Sequence, residues 1–425
     1  MSDAAEQDTE SLHAFLLDLG RALTLAGAAV SETQERLARV AAANHATSAR
    51  IVVLPTALIV ASQPDKWATI EAIPQLGGLM RLDQISAVYE LTAKAERGAI
   101  QPRAGVAELH RIQAMRPRHG ASVTVLAYAA MTIAFCLILQ PTPIDVAIAS
   151  GLGLLVGMLQ AFARGRTTIT VLVPVTAAAL VSAVSFELVK HGIADPGLRT
   201  LIAPLVTFLP GAALTTATVE LASGEMVAGA SRLVSGAVTL VLLAFGIVAG
   251  VEIAGLPSEA AVIDEHANLL GWWAPWLGVL VFGLAVTAYF SAPGGSLHWI
   301  VVVLLVAWLG QVVGERVVGA DVSGFVGALA MTPVALLVAR LPGGPPSQVT
   351  FLPAFWLLVP GALGLIGVTE VIGNPAEATV ADLVAPIGSI VSIALGVLCG
   401  VSIFRGISAA APVTVRRMRG MIRPQ

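Results

Sequence analysis

Leu209-Pro210-Gly211-Ala212-Ala213-Leu214-Thr215-Thr216-Ala217-Thr218-Val219-Glu220 lies inside a long apolar run. Moved 150 positions along the chain, it falls on Val359-Pro360-Gly361-Ala362, with Glu370 under Glu220. The same shift lays Leu233-Val234 over Leu383-Val384 and Gly246 and Gly250 over Gly396 and Gly400, without a gap. Leucine and valine match easily between apolar segments. A shared Pro-Gly-Ala followed at one fixed distance by an acid does not. The reading is an internal repeat; the alternative is two unrelated helices that share a kink motif.

Proline removes a backbone donor and clashes with the preceding turn, and glycine tolerates strained torsions. Pro210-Gly211 and Pro360-Gly361 therefore predict breaks near the middle of two apolar helices. Backbone groups freed at membrane depth must be buried in protein or line a cavity. Matched broken helices in two halves are the best sequence pointer to a substrate site, with packing kinks as the alternative.

The surrounding composition sets the class. The chain has 425 residues, of which 56% are hydrophobic and 12% charged. Soluble domains carry about 25% charged residues. Mean hydropathy is +0.84. Charge is ordinary to about Arg118 and sparse thereafter. Apolar runs near the ~20 residues needed to cross hydrocarbon fall at about 121–139, 144–163, 169–189, 201–220, 230–251, 273–290, 297–314, 320–339, 349–370 and 380–404. The expected fold class is a polytopic α-helical membrane protein. Its ten transmembrane helices would form two inverted five-helix repeats, preceded by a small cytoplasmic α+β domain. The expected domains are 1–118, then 119–270 with the first repeat and an outer acidic loop, then 271–425 with the second repeat and a basic tail. A five-helix unit crosses an odd number of times, so its second copy enters from the opposite face, as in many secondary transporters.

Charge placement fits. Arg116 and Arg118 precede the first run, and Arg405, Arg416, Arg417, Arg419 and Arg423 follow the last. Arg164, Arg166, Arg232 and Arg340 also fall inside in a ten-span topology, as cytoplasmic flanks should. The loop 252–272 carries Glu252, Glu259, Asp264 and Glu265 without Lys or Arg, and falls outside. Lys190, Arg199 and Arg316 run against the pattern. The first ten residues are acidic and polar, unlike a signal peptide, so both termini are expected in the cytoplasm of a multi-pass protein of the plasma or inner membrane.

In the N-terminal part, apolar residues recur at helical spacing from Leu12 to about Asn44. Arg50 to Ser62 reads as a strand, Lys66 to Ile73 as a second, and Leu82–Arg97 and Pro102–Met115 as helices. No Gly-rich phosphate loop, Walker lysine or His-x-x-His occurs there, and His13, His45, His110 and His119 are scattered. An enzyme is not expected. Cys136 and Cys399 lie in apolar runs and read as small core residues; a metal site or disulfide framework needs more. Net charge −3 gives no support to a nucleic-acid partner.

Glu220 and Glu370 are the acids that matter. An ionisable group within a span costs about 2.5–3.5 kcal/mol and usually serves a function or is paired; a carboxylate there suits proton coupling. The alternative places each acid at a helix end, since it lies about 13.5 Å of helix rise beyond the Pro-Gly. Thr215, Thr216 and Thr218 surround the first acid, whereas Leu365, Ile366 and Val368 occupy the second copy. Hydroxyls at Thr215 and Thr216 would bind a small polar ligand, or bond back to their own helix. Arg232 lies over Asp382 in the repeat; both read as interfacial anchors in preference to pore charges. The site residues are thus Pro210, Gly211, Thr215, Thr216, Pro360 and Gly361 for substrate, Glu220 and Glu370 for protons, and Arg232 and Asp382 as further polar groups. No metal or cofactor is expected.

Several stretches resemble the threonine/serine exporter family. They are Leu19-Gly20-Arg21-Ala22-Leu23-Thr24-Leu25-Ala26-Gly27-Ala28, Pro55-Thr56-Ala57-Leu58-Ile59-Val60-Ala61-Ser62 and Val88-Tyr89-Glu90-Leu91 before Gly98. Phe208-Leu209-Pro210-Gly211 with Glu220-Leu221, Gly229 and Arg232-Leu233 belongs with them. The resemblance covers essentially the whole chain. It implies export of small hydroxylated amino acids, threonine and serine, on the proton gradient, with the bilayer and the amino acid as partners; a homo-oligomer is compatible with it. The competing readings are an exporter of another small metabolite such as a dicarboxylate, and, in a different class, a membrane-embedded hydrolase or scaffold. A dicarboxylate would call for a buried base, for which Arg232 is the sole candidate.

Overall fold

The computed structural model describes residues 2–61, 68–73, 80–139, 142–193, 198–256, 270–358, 360–373 and 380–421. Helices α1 (Ser2–Leu25) and α2 (Val30–Ala43) open the chain. The single helix expected from Leu12 to Asn44 is broken here, because Gly27 takes φ 84°, a left-handed conformation that glycine adopts without steric cost. The expected strand over 50–62 is likewise two strands. β1 (Arg50–Leu54) turns at Pro55-Thr56 into β2 (Ala57–Ala61), and β3 (Thr69–Ala72) completes an antiparallel sheet in the order β1-β2-β3. Leu54 pairs with Ala57 across the turn.

Helices α3 (Leu82–Glu96) and α4 (Pro102–Gln113) stand where expected. A Cβ on Gly20 would come 2.5 Å from Leu58, and one on Gly105 2.4 Å from Phe15. Glycine thus lets α1 seat against β2 and α4 against α1. Arg36 and Arg39 of α2 both reach Glu96 of α3, at 3.2 and 3.0 Å.

The remaining elements are helices: α5 (Ala121–Ile138), α6 (Pro143–Ala163), α7 (Thr167–Lys190), α8 (Leu198–Ile202), a 3₁₀ turn (Ala203–Phe208), α9 (Gly211–Ala222), α10 (Met226–Ile253), α11 (Ala274–Tyr289), α12 (Leu297–Val318), α13 (Ala320–Val338), α14 (Ser347–Leu357), α15 (Pro360–Gly373) and α16 (Val380–Met421). Among the described residues six helices are long and apolar enough to cross a membrane, and a bent pair, Thr200–Phe208 with Gly211–Ala222, would be a seventh. Three of the ten expected spans fall on shorter or interrupted apolar helices, Ala274–Tyr289, Val322–Val338 and Gly364–Gly373. The protein is a mostly helical, multi-pass membrane protein. On α10 the side chains Val234, Val238, Val241 and Phe245 are exposed while Leu240, Leu243, Ala244 and Ile247 are buried, so one apolar stripe faces outward, where lipid belongs.

α7 packs on α10, and α13 on α16. The contacts share a register. A Cβ on Gly246 would stand 2.6 Å from the Val175 carbonyl and 2.8 Å from Ala178. On Gly396 it would stand 2.4 Å from the Phe325 carbonyl and 2.8 Å from Ala328. Gly250 meets Ala179 and Ser182, and Gly400 meets Leu329 and Thr332. Each partner is the same residue number displaced by 150. One sequence expectation fails here: Cys136 is buried, but Cys399 is exposed on α16, since an apolar helix in a membrane protein has an outward face as well as a packed one.

Candidate functional site

The break at Pro210 bends the chain by 56° between the 3₁₀ turn and α9. Its cause is local. Pro210 has no N–H for the Val206 carbonyl four residues back. Leu209 donates to that carbonyl instead, at 3.3 Å, in 3₁₀ fashion. α9 restarts with Leu214 donating to the Pro210 carbonyl at 2.9 Å. Gly211 is buried in the first turn of α9. Thr215, one turn on, is fully buried, and its hydroxyl has no hydrogen-bond partner among the described residues. Thr216 is half-buried. Thr218 bonds back to the Leu214 carbonyl at 3.0 Å.

In the second copy α14 ends at Leu357 and α15 begins at Pro360. Val359 lies outside the described residues, as do the side-chain surroundings of Pro360, Gly361 and Asp382. α9 touches both α14 and α15, so the two interrupted segments meet. α10 also packs on α15, and α16 on α9. A Cβ on Gly364 would stand 2.9 Å from Leu240. Glu370 is half-buried near the end of α15.

Glu220 is fully buried in the last turn of α9. Arg232 on α10 brings Nε to 3.0 Å from its Oε2. These two atoms make an ion pair without a hydrogen bond. The other carboxylate oxygen accepts from the backbone N–H of Val30, the first residue of α2, at 3.1 Å. Arg232 in turn donates to the Ala28 carbonyl at 3.3 Å. The α1–α2 turn is thus gripped by one acid and one base from the membrane part. The N-terminus of α2 presents its positive end and an unsatisfied N–H to the carboxylate, which acts as its cap. Two further contacts dock the N-terminal part. Leu82 at the start of α3 donates to the Phe290 carbonyl after α11 at 3.0 Å, and Gln348 of α14 donates to Glu32 of α2 at 3.2 Å. Burial, with the Glu32 charge adding to it, pushes the nearby Tyr89 phenol well above its ordinary value and keeps it neutral.

A second polar cluster escaped sequence reasoning. Tyr128 (α5), Gln160 (α6), Thr207 (3₁₀ turn) and Tyr289 (α11) converge beside the break. Tyr128 donates to the Pro204 carbonyl at 2.6 Å and stands 3.0 Å from the Thr207 hydroxyl. Gln160 donates to Thr207 at 3.2 Å, and Tyr289 to Gln160. A faint signal existed: two of the three tyrosines lie in apolar runs, where a phenol needs a partner.

Residues 14–254 match the family model ThrE, "Putative threonine/serine exporter". The chain belongs to the ThrE family. No curated protein and no solved structure matches it. The ThrE match spans residues 14–254, from within α1 to the end of α10, so both sides of the Glu220–Arg232 grip on the α1–α2 turn lie within its bounds. ThrE is a transporter family, and the apolar helices carry that membership into the bilayer. Among the described residues no group of His, Cys, Asp or Glu is placed to hold a metal ion.

Proposed function

We propose that this ThrE-family protein is a secondary active exporter of threonine and serine, driven by protons, whose substrate site lies where the two interrupted segments meet. The observation that carries the reading is the Pro210 break with its buried, unpartnered Thr215 hydroxyl one turn into α9. A polar group left unpaired away from water is costly unless something else satisfies it. The amino end of α9 is oriented for an anion; an amino acid's carboxylate at Gly211 and its ammonium donating to the Thr215 hydroxyl would use both features. Arg232 is already paired with Glu220, which leaves the dicarboxylate alternative without its base.

Ten spans in two inverted halves complete the reading. Shifted by 150, α5 overlays α11, α6 overlays α12, α7 overlays α13, α9 overlays α15 and α10 overlays α16. The matched glycine contacts support this, as do the exchanged packings of α9 on α16 and α15 on α10. In that topology the end of α9, the start of α10, the end of α11 and the start of α14 share the cytoplasmic side. All three docking contacts of the N-terminal part use those ends, which supports a cytoplasmic domain over about residues 1–118.

In this reading Glu220 and Glu370 carry the protons, one near each face. A proton on Glu220 cancels the charge that holds Arg232 and weakens the acceptor that Val30 uses, so proton arrival loosens α2 from α9. The test is threonine counterflow by the full-length protein in liposomes with an imposed pH gradient. Wild-type flux should follow the gradient. Glu220→Gln should abolish the gradient-driven part while the protein stays folded. Absence of flux for any small amino acid sinks the exporter reading; an unchanged pH response in Glu220→Gln removes only Glu220 from coupling.

A further inference from the structure

The Tyr128–Gln160–Thr207–Tyr289 cluster has a direction. Tyr128 has one hydroxyl hydrogen, and the Pro204 carbonyl at 2.6 Å takes it. In the 3.0 Å contact between Tyr128 and Thr207, Thr207 must then be the donor. Thr207 accepts from the Gln160 amide at 3.2 Å, and the Gln160 carbonyl oxygen accepts from Tyr289. Every link runs one way, from Tyr289 to the backbone of the 3₁₀ turn. Among the described residues no hydrogen bond uses two groups at the head of the chain: the second amide N–H of Gln160 and a remaining lone pair on the Tyr289 oxygen. One donor beside one acceptor matches a single neutral hydroxyl, which accepts from the first and donates to the second. A carboxylate would oppose the tyrosine lone pair, and an ammonium would oppose the amide N–H.

The placement suits a ligand. Tyr128 is fully buried and anchors the chain of bonds. Gln160, Thr207 and Tyr289 each keep some accessible surface. Thr207 sits three residues before Pro210, on the segment that ends at the break. The Tyr128 and Tyr289 rings stand 5.4 Å apart between centroids and fix the orientation of both phenols.

We infer that Gln160 and Tyr289 recognise the side-chain hydroxyl of the exported amino acid, with Thr207 and Tyr128 holding them in position. The inference rests on the exporter reading and adds its specificity determinant. It explains selection of hydroxylated side chains by a site that would leave Gln160 and Tyr289 unpaired over an apolar analogue, the arrangement that discriminates most strongly.

The test uses full-length protein in liposomes and the pair threonine and valine, which differ by a methyl in place of the hydroxyl. Labelled threonine counterflow is competed with unlabelled threonine or valine. Wild type should favour threonine by about 10⁴-fold, the scale on which sites built to bind a hydroxyl reject its absence. Gln160→Leu should bring the two competitors to within about threefold of each other, and Tyr289→Phe should lower the preference about tenfold, by the same argument. Tyr289→Phe removes one oxygen and keeps the ring, so it serves where Gln160→Leu fails to fold. A packing role alone would slow flux and leave the threonine-to-valine preference unchanged, and that result in either folded variant overturns the inference. Absence of threonine flux in wild type overturns the exporter reading with it; wild-type flux with an unmoved preference overturns this inference alone.

Discussion

Glu220 is fully buried, and a buried carboxylate is tolerable only when its charge is met. Arg232 and the Val30 N–H meet it from two directions. Removing one partner of such a pair strands the other, at a typical cost of about 3–5 kcal/mol. Arg232→Met is therefore expected to lower the melting temperature of the purified protein sharply. Glu220→Gln with Arg232→Met, which removes both charges, should recover most of the loss. A double variant no more stable than Arg232→Met would show that the two charges do not act as a pair. Both residues were legible in the sequence, because a charge inside an apolar run demands an explanation. Their pairing was not: they lie on different helices across the Ser223-Gly224-Glu225 turn. Nor could spacing reveal partners about two hundred positions upstream. The anchor reading of Arg232 contains no sign of its bond to the Ala28 carbonyl, since nothing local in sequence points to residue 28.

Helix positions were readable from hydropathy, since a run of apolar residues has one economical fate in lipid. Helix ends were less so. α10 begins at Met226, before the expected start, because the turn after α9 is only three residues long. The N-terminal helix and strand were each read too long, since Gly27 and Pro55-Thr56 interrupt the chain without interrupting its periodicity. Glycine packing gives the element scale its test. A methyl on Gly250 would press 2.4 Å from the Ala179 carbonyl, and one on Gly396 2.4 Å from the Phe325 carbonyl. Backbone cannot step aside as a side chain does, so Gly250→Ala and Gly396→Ala should each cost about 1–3 kcal/mol, the usual range for overpacking. Gly388→Ala, on the same helix as Gly396 with open space around it, should leave the melting temperature unchanged. Equal loss in all three would mean that helix contact is not what these glycines serve. The break calls for a separate variant. Pro210→Ala returns an N–H to the Val206 carbonyl and permits a straighter helix. Counterflow should fall at least about tenfold, as a misplaced site geometry costs, with the melting temperature held or raised; unimpaired flux would show that the bend is dispensable.

At the scale of the whole molecule the decisive quantity is which ends of the helices share a side. The sequence argued this from arginines, and three charges opposed it. The structure adds an independent constraint: residues of the N-terminal part touch Glu220, Arg232, Phe290 and Gln348, so these four positions share a side with them. A ten-span inverted arrangement puts all four on one face, and it puts the turn after α7, the segment before α11 and the end of α12 on the other. Single cysteines read this directly once Cys136→Ala and Cys399→Ala clear the background. His191→Cys, Trp272→Cys and Val318→Cys replace exposed side chains and should react with a membrane-impermeant maleimide on intact cells. Ser223→Cys and Leu341→Cys, also exposed, should react only after the membrane is opened. The pair Ser223 and Trp272 carries the argument. They flank α10, so opposite reactivity means that α10 crosses the bilayer and that the second half enters from the far side. Equal reactivity would place both halves in the same orientation, and the two breaks could not then exchange roles between faces.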